Sequence, residues 1–270
     1  MTATPGTLVF SHANSYPAGC YRVLFETWRA AGWRVEALDR FGHDPRYPVK
    51  QDWRGMRGQL IDFIERDVRP EGPVVLVGHS LGGLLSLLVA CRRPELVKHL
   101  VLLDSPVVAG WRAALLAWSQ LTGLVHRVPP AAIAAKRRQS WPDRAAVRAH
   151  FASKPMFARW DPRVLDDYIA CGFEEHGGQT RLRFDREVES RIYATLPAYI
   201  PRLLKRYPPR CAIDFFGGTD SAELRQAGSD ASRALVGERF HWVEGGHLFP
   251  FEKPDETASR VLAALAATGA

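Results

Sequence analysis

The chain has 270 residues, enough to bury a full core, and its 46% hydrophobic and 24% charged residues are ordinary for a globular protein. The formal net charge is +7, with nine histidines counted neutral, yet no nucleic-acid-binding motif accompanies the basic excess. No apolar stretch is long enough to cross a bilayer, and the four cysteines (Cys20, Cys91, Cys171 and Cys211) lack metal-binding spacing.

Thr7–Ser11 is a short apolar run and reads as a buried strand. Residues 17–31 carry a helical spacing of Tyr21, Leu24, Phe25 and Trp28, and Gly32 ends it. A second strand is expected over 33–38, followed by the loop Asp39-Arg40-Phe41-Gly42-His43. The spacing predicts a helix over 53–67, a strand over 73–77, a helix over 81–92 and a strand over 99–103. Strands that are near-continuous apolar runs, alternating with helices, specify a mostly parallel sheet covered on both faces. The rhythm breaks at Pro106. About a hundred mainly helical residues follow, rich in Ala, Arg and Trp and punctuated by prolines. It resumes with strands at 211–216 and 239–243 and an amphipathic helix over 254–267. The expected organisation is an α/β core of residues 1–105 and 206–270 with a helical cap, 106–205, inserted between its halves.

The charge is uneven. Residues 106–205 hold 16 Lys and Arg against 9 Asp and Glu, and the remainder is balanced at 20 of each. Such a segment suits either a solvated face or an anionic partner. Cysteine usage fits free, mostly buried thiols in a reducing compartment. With no basic-then-apolar leader at the start, the expected location is cytoplasmic.

The chemistry centres on Gly78-His79-Ser80-Leu81-Gly82, which fits G-x-S-x-G between a predicted strand and a predicted helix. That placement sets Ser80 on a sharp turn at a helix N-terminus, where backbone N–H groups favour developing negative charge. A serine hydroxyl needs a base, and His247 follows the last strand in Glu244-Gly245-Gly246-His247. Two carboxylates stand just after strands where they could orient that histidine: Asp220, in Gly217-Gly218-Thr219-Asp220, and Asp104. An oxyanion hole needs two backbone N–H groups. Leu81 supplies one, and the loop after the first strand supplies the other from Asn14, with Ala13 as the alternative. His12 would shape this loop or face the substrate. Trp111, Trp118 and Trp160, with other aromatics of the insert, would line an apolar acyl pocket or form the insert's own core. Lys136-Arg137-Arg138 reads as a solvated helix face, or as one turned to an anionic substrate.

Residues 11–14 (SHAN), 39–43 (DRFGH), 78–83 (GHSLGG), 217–220 (GGTD) and 245–254 (GGHLFPFEKP) resemble the α/β-hydrolase family, of the capped serine esterase or lipase type. The resemblance covers both core segments and leaves the cap largely uncovered. Ala13 stands where the family's usual His-Gly pair has glycine, so the second oxyanion donor is not fixed by it. The resemblance favours Asp220 over Asp104 as the acid, and implies no metal and no organic cofactor. It implies hydrolysis of a carboxylic ester of a small, apolar acyl substrate through an acyl-enzyme. The partners expected exclude nucleic acid and stable membrane insertion, and the protein is read as a monomer or homodimer. The same scaffold also serves C–C bond hydrolases, lactonases, amidases, cofactor-free peroxidases and weakly catalytic ligand-binding proteins.

Overall fold

Six strands of parallel sheet organise the chain: β1 (Thr7–Ser11), β2 (Arg34–Ala37), β3 (Val74–His79), β4 (Val97–Leu103), β8 (Ala212–Gly218) and β9 (Phe240–Val243). The structure is a computed structural model that describes residues 6–269; residues 1–5 and residue 270, the two ends of the expected core segments, lie outside the described residues. The strand order is β2-β1-β3-β4-β8-β9, and every neighbouring pair is parallel. From β1 the chain adds β2 on one side and β3 on the other. The order reverses there, which opens a crevice at the carboxyl edge where such sheets collect ligands.

Helices α1 (Arg22–Ala30), α2 (Arg54–Asp62), α3 (Leu81–Arg92) and α7 (Pro254–Ala267) cover the sheet. Every residue of α3 except Arg92 is buried, as befits a helix that is apolar on all sides. The indole N–H of Trp28 on α1 donates to the Ala258 carbonyl at 3.1 Å and ties the last helix to the first. The expected helix over 53–67 is α2 followed by a π-helical stretch, Phe63–Val68.

Between β4 and β8 the chain leaves the sheet. It forms α4 (Gly110–Leu121), α5 (Pro162–Cys171), α6 (Arg186–Ala194) and further helices of nine residues or fewer. It also forms a small antiparallel sheet, β5 (Ser140–Trp141), β7 (Gln179–Leu182) and β6 (Phe173–His176), in a segment expected to be mainly helical. Its strands are two to four residues long and mostly polar, too short for a period-two signal to emerge. Tyr168, Phe157, Trp160, Phe151 and Phe173 pack together in this segment, and Trp160 meets Phe251 and Tyr16 of the sheet-bearing part. Cys20 and Cys171, remote in sequence, bring their sulfurs within 3.4 Å of each other as free thiols.

Candidate active site

Ser80 joins β3 to α3 at φ 53°, ψ −116°, a conformation that costs a non-glycine residue about 1–3 kcal/mol. Its N–H donates to the Leu103 carbonyl at 2.9 Å, and Leu84 N–H donates to the Ser80 carbonyl at 3.1 Å, so the neighbouring strand β4 and the helix α3 hold the turn. The turn also needs close approach. A Cβ on Gly82 would stand 2.0 Å from the Ser11 carbonyl oxygen, so α3 reaches β1 only because that residue is glycine. The outcome is a hydroxyl held at the crevice on the first turn of a buried helix.

His247 Nε2 lies 2.9 Å from Ser80 Oγ, and its Nδ1 lies 2.8 Å from Asp104 Oδ1. The expected pairing with Asp220 is therefore corrected: the carboxylate that reaches His247 is Asp104. Asp220 is exposed, and its N–H donates to the Gly245 carbonyl at 2.8 Å. The physical reason lies in the strand ends. Leu103 of β4 pairs with both His79 of β3 and Phe216 of β8, so Asp104 emerges level with the serine turn. β8 continues two residues further, to Gly218 opposite Val243, and carries Asp220 past the site to the solvent. The Gly-Gly-Thr-Asp turn instead supplies donors to Asp104. Gly218 N–H donates to Oδ2 at 2.7 Å, and the neighbouring Ser221 hydroxyl donates to Oδ1 at 2.7 Å. Gly218 must be glycine, because its Cβ would lie 2.4 Å from the Gly246 carbonyl of the histidine loop. Asp104 itself has φ 41°, a second strained residue at this edge.

Asp104 is fully buried and accepts three hydrogen bonds, from Gly218, Ser221 and His247, so it stays fixed beneath the imidazole. Burial works against a charged His247, but the hydrogen bond and charge of Asp104, with the Glu223 carboxylate 3.9 Å from Nδ1, outweigh it and raise its pKa above the usual histidine value. A buried carboxylate, an imidazole and a hydroxyl in line can move the serine proton onto His247 and hold the imidazolium that results.

The loop after β1 faces this line. Tyr16 N–H donates to the Ala13 carbonyl at 3.2 Å and closes a turn with Ser15 at φ 78°. Ala13 N–H is committed to the Tyr21 hydroxyl at 3.1 Å, which removes it as an oxyanion donor. Among the described residues, neither Asn14 N–H nor Leu81 N–H is engaged by a protein acceptor. The Asn14 side chain is anchored by donating to the Glu189 carbonyl at 3.1 Å, across to α6. His12 is fully buried rather than facing substrate: Nδ1–H donates to the Ala13 carbonyl at 2.8 Å and Nε2 accepts from Phe41 N–H at 2.9 Å. Burial pushes its pKa down to about 4, so it stays neutral and braces the loop.

The sequence profile described as "Alpha/beta hydrolase family" matches residues 8–260. The chain belongs to the alpha/beta hydrolase family. It is similar to Lipase LipV of Mycobacterium tuberculosis (strain ATCC 25618 / H37Rv), at 40% identity over 236 residues, 83% of this chain and 80% of that one. It is also similar to the Monoglyceride lipase of Mus musculus, at 33% identity over 120 residues, covering 42% of this chain and only 39% of that protein's length. Among solved structures, E-2-(acetamidomethylene)succinate hydrolase superposes with a TM-score of 0.74 at 18% identity, covering 96% of this chain and 90% of that one. The thioesterase domain from the curacin biosynthetic pathway superposes with a TM-score of 0.70 at 20% identity, over 96% and 91%. Those two likenesses concern the fold.

The site has a further buried link that the sequence did not announce. His79, between Gly78 and Ser80, is fully buried. Its Nε2 lies 2.9 Å from the His247 carbonyl and its Nδ1 2.8 Å from the Tyr21 hydroxyl. A carbonyl only accepts, so Nε2 carries the proton and Nδ1 accepts from Tyr21. Burial, and then the neighbouring His247, drive the His79 pKa well below the ordinary value and keep it neutral. One chain of hydrogen bonds thus joins the Ala13 N–H, Tyr21, His79 and the backbone of His247, and couples the loop after β1 to the histidine loop. The only hint in sequence was a histidine inside the serine motif.

The pocket expectation is corrected for two tryptophans. Trp111 and Trp118 are 67% and 54% exposed on α4 and enclose nothing, whereas Trp160 is buried in the aromatic cluster. In the basic run, Lys136 and Arg138 are exposed, but Arg137 turns inward to Glu189 at 2.9 Å and to the Tyr168 hydroxyl at 2.5 Å. His99 and His241 share Asp214 inside the sheet, at 2.8 and 2.6 Å, and His43 accepts from the Asp185 N–H. Among the described residues no group of three or more His, Cys, Asp or Glu is disposed to hold a metal ion.

Proposed function

We propose that the protein hydrolyses carboxylic esters with apolar acyl groups, using Ser80 as nucleophile. The observation that carries the reading is the unbroken line Ser80 Oγ, His247 Nε2, His247 Nδ1 and Asp104 Oδ1, with steps of 2.9 and 2.8 Å. Ser80 Oγ attacks the ester carbonyl carbon while its proton passes to His247 Nε2. Asp104 stabilises the imidazolium and holds its tautomer. The Leu81 and Asn14 N–H groups receive the oxyanion. Collapse expels the alcohol with the proton from His247 and leaves Ser80 acylated. His247 then takes a proton from water as its oxygen attacks the acyl carbon, and a second collapse frees the acid. Relatives named as lipases support an ester with an apolar acyl chain. Residues 106–205 act as the cap over this site in the same reading.

A panel of p-nitrophenyl esters of rising acyl length, with amide and lactone controls, tests the proposal. The expectation is multiple turnover of esters and loss of that turnover in Ser80→Ala. Equal or better turnover of amides or lactones, or a single stoichiometric release without turnover, would contradict it.

A further inference from the structure

Two of the four cysteines take no part in the site, yet they meet across the molecule. Cys20 lies in the short helix Ala18–Tyr21 of the sheet-bearing part, one residue before Tyr21. Cys171 is the last residue of α5 in the insert. Their sulfurs stand 3.4 Å apart although 151 positions separate them in sequence, and both thiols are free.

The seam around the pair is built for close approach. A Cβ on Gly19 would stand 2.8 Å from Cys171 Cβ and 3.0 Å from its sulfur, so the end of α5 reaches the short helix only because residue 19 is glycine. Arg183 secures both sides. Its guanidinium donates to the Cys171 carbonyl and to the Asp39 carboxylate, each at 2.8 Å, and the Asp39 carbonyl accepts from Ala18 N–H at 3.1 Å. Arg22 adds a bond to Asp167 of α5 at 2.7 Å. These contacts hold the two backbones while the sulfurs face each other. A disulfide bond is about 2.0 Å long, so about 1.4 Å of further approach closes one. Cys20 is fully buried, whereas Cys171 is partly exposed. A dissolved reagent can therefore reach one sulfur, and only that sulfur can reach the other. This is the disposition of an attacking thiol with a resolving neighbour.

We propose that Cys20 and Cys171 are a reversible disulfide site that fastens the insert to the sheet-bearing part, with a small-molecule disulfide as oxidant. Cys171, as thiolate, attacks one sulfur of that reagent; the reagent's S–S bond breaks and its other half leaves as a thiol. Cys20 Sγ then attacks Cys171 Sγ, its proton passing to the second departing thiolate. The two protein thiols are oxidised and the reagent is reduced to two thiols. Burial, with the Cys171 contact, holds the Cys20 thiol well above the usual cysteine range, so the second step is slow at neutral pH and quickens as pH rises. Closing so long a loop removes much of the unfolded chain's freedom. The bond needs nothing from the Ser80–His247–Asp104 line, so the inference does not depend on the proposed reaction.

The full chain, incubated with oxidised glutathione or with dithiothreitol, then alkylated, digested without reductant and mapped by mass spectrometry, tests it. With oxidised glutathione the Cys20 peptide is expected joined to the Cys171 peptide, lighter by the two thiol hydrogens, with Cys91 and Cys211 alkylated. The oxidised protein should unfold at about 1 M higher urea than the reduced protein, and dithiothreitol should abolish the difference. Cys171→Ser should lose both the bridge and the shift, and Cys20→Ala should stop at glutathione on Cys171. Reduced forms of both variants should keep the parent's circular dichroism spectrum, which shows that they fold. A parent left unmodified, left with glutathione on Cys171, or bridged through Cys91 or Cys211 would overturn the proposal. So would a Cys20–Cys171 bridge that leaves the unfolding midpoint unchanged.

Discussion

Helices α3 and α4 are both twelve residues long and both rich in apolar residues, yet all but one residue of α3 is buried and none of α4 is. The difference comes from what surrounds them rather than from how apolar they are. α3 follows a strand without a loop, is held against β1 by Gly82, and places Ser80 at its N-terminus, so burial and site are one construction. α4 follows the site, on the far side of Asp104, and leaves Trp111 and Trp118 exposed. Where the fold fills a helix's surroundings, it can hold strained residues such as Ser80 and Asp104. Where it does not, apolar side chains stay at the surface.

The largest effect on the buried side should come from the nucleophile. Ser80→Ala is expected to lower kcat for p-nitrophenyl esters by about 10⁵–10⁶-fold, as loss of a serine nucleophile does elsewhere. Ser80→Gly should be as inactive yet more stable by about 1 kcal/mol in denaturant unfolding, because glycine relieves the positive φ. A Ser80→Gly protein no more stable than Ser80→Ala would break the argument that this edge stores strain. Asp104→Asn is expected to reduce kcat about 10⁴-fold, and Asp220→Asn to stay within about threefold of the parent. The reverse ranking would return the acid to Asp220.

Smaller effects sharpen the picture. Tyr21→Phe leaves the Ala13 N–H without its acceptor and His79 without its donor. A loss of about 1–3 kcal/mol in stability is expected, with kcat falling about tenfold and KM little changed. A rise in KM alone would assign Tyr21 to substrate contact instead. The pH profile should move least. His247 acts as a base only when neutral and its pKa is raised, so kcat/KM should fall on acidification with a midpoint above the usual histidine value. Removing the nearby charge in Glu223→Gln should shift that midpoint downward. An upward shift would contradict the assignment.

Much of this was legible in the residues. Apolar runs marked all six strands of the parallel sheet, and a serine motif at a strand–helix junction singled out Ser80, with His247 after the last strand. The acid was not legible, because Asp104 and Asp220 both follow a strand, and only the extra two residues of β8 separate them. Tyr21 and His79 lie 58 residues apart and meet only when α1 packs on the sheet. The tryptophans of α4 were misread because composition reports that a residue is apolar, not which way its helix turns. The short strands of the insert carry too few residues for alternation to register.

The central claim is that Ser80, activated by His247 over Asp104, carries the acyl group. Acid-quenched enzyme caught in turnover of an activated ester, digested and mapped by mass spectrometry, tests this most directly. The acyl mass is expected on the peptide containing Ser80, absent from Ser80→Ala and accumulating in the parent before steady state. An acyl group on another residue, or ester turnover by Ser80→Ala at the parent's rate, would contradict it.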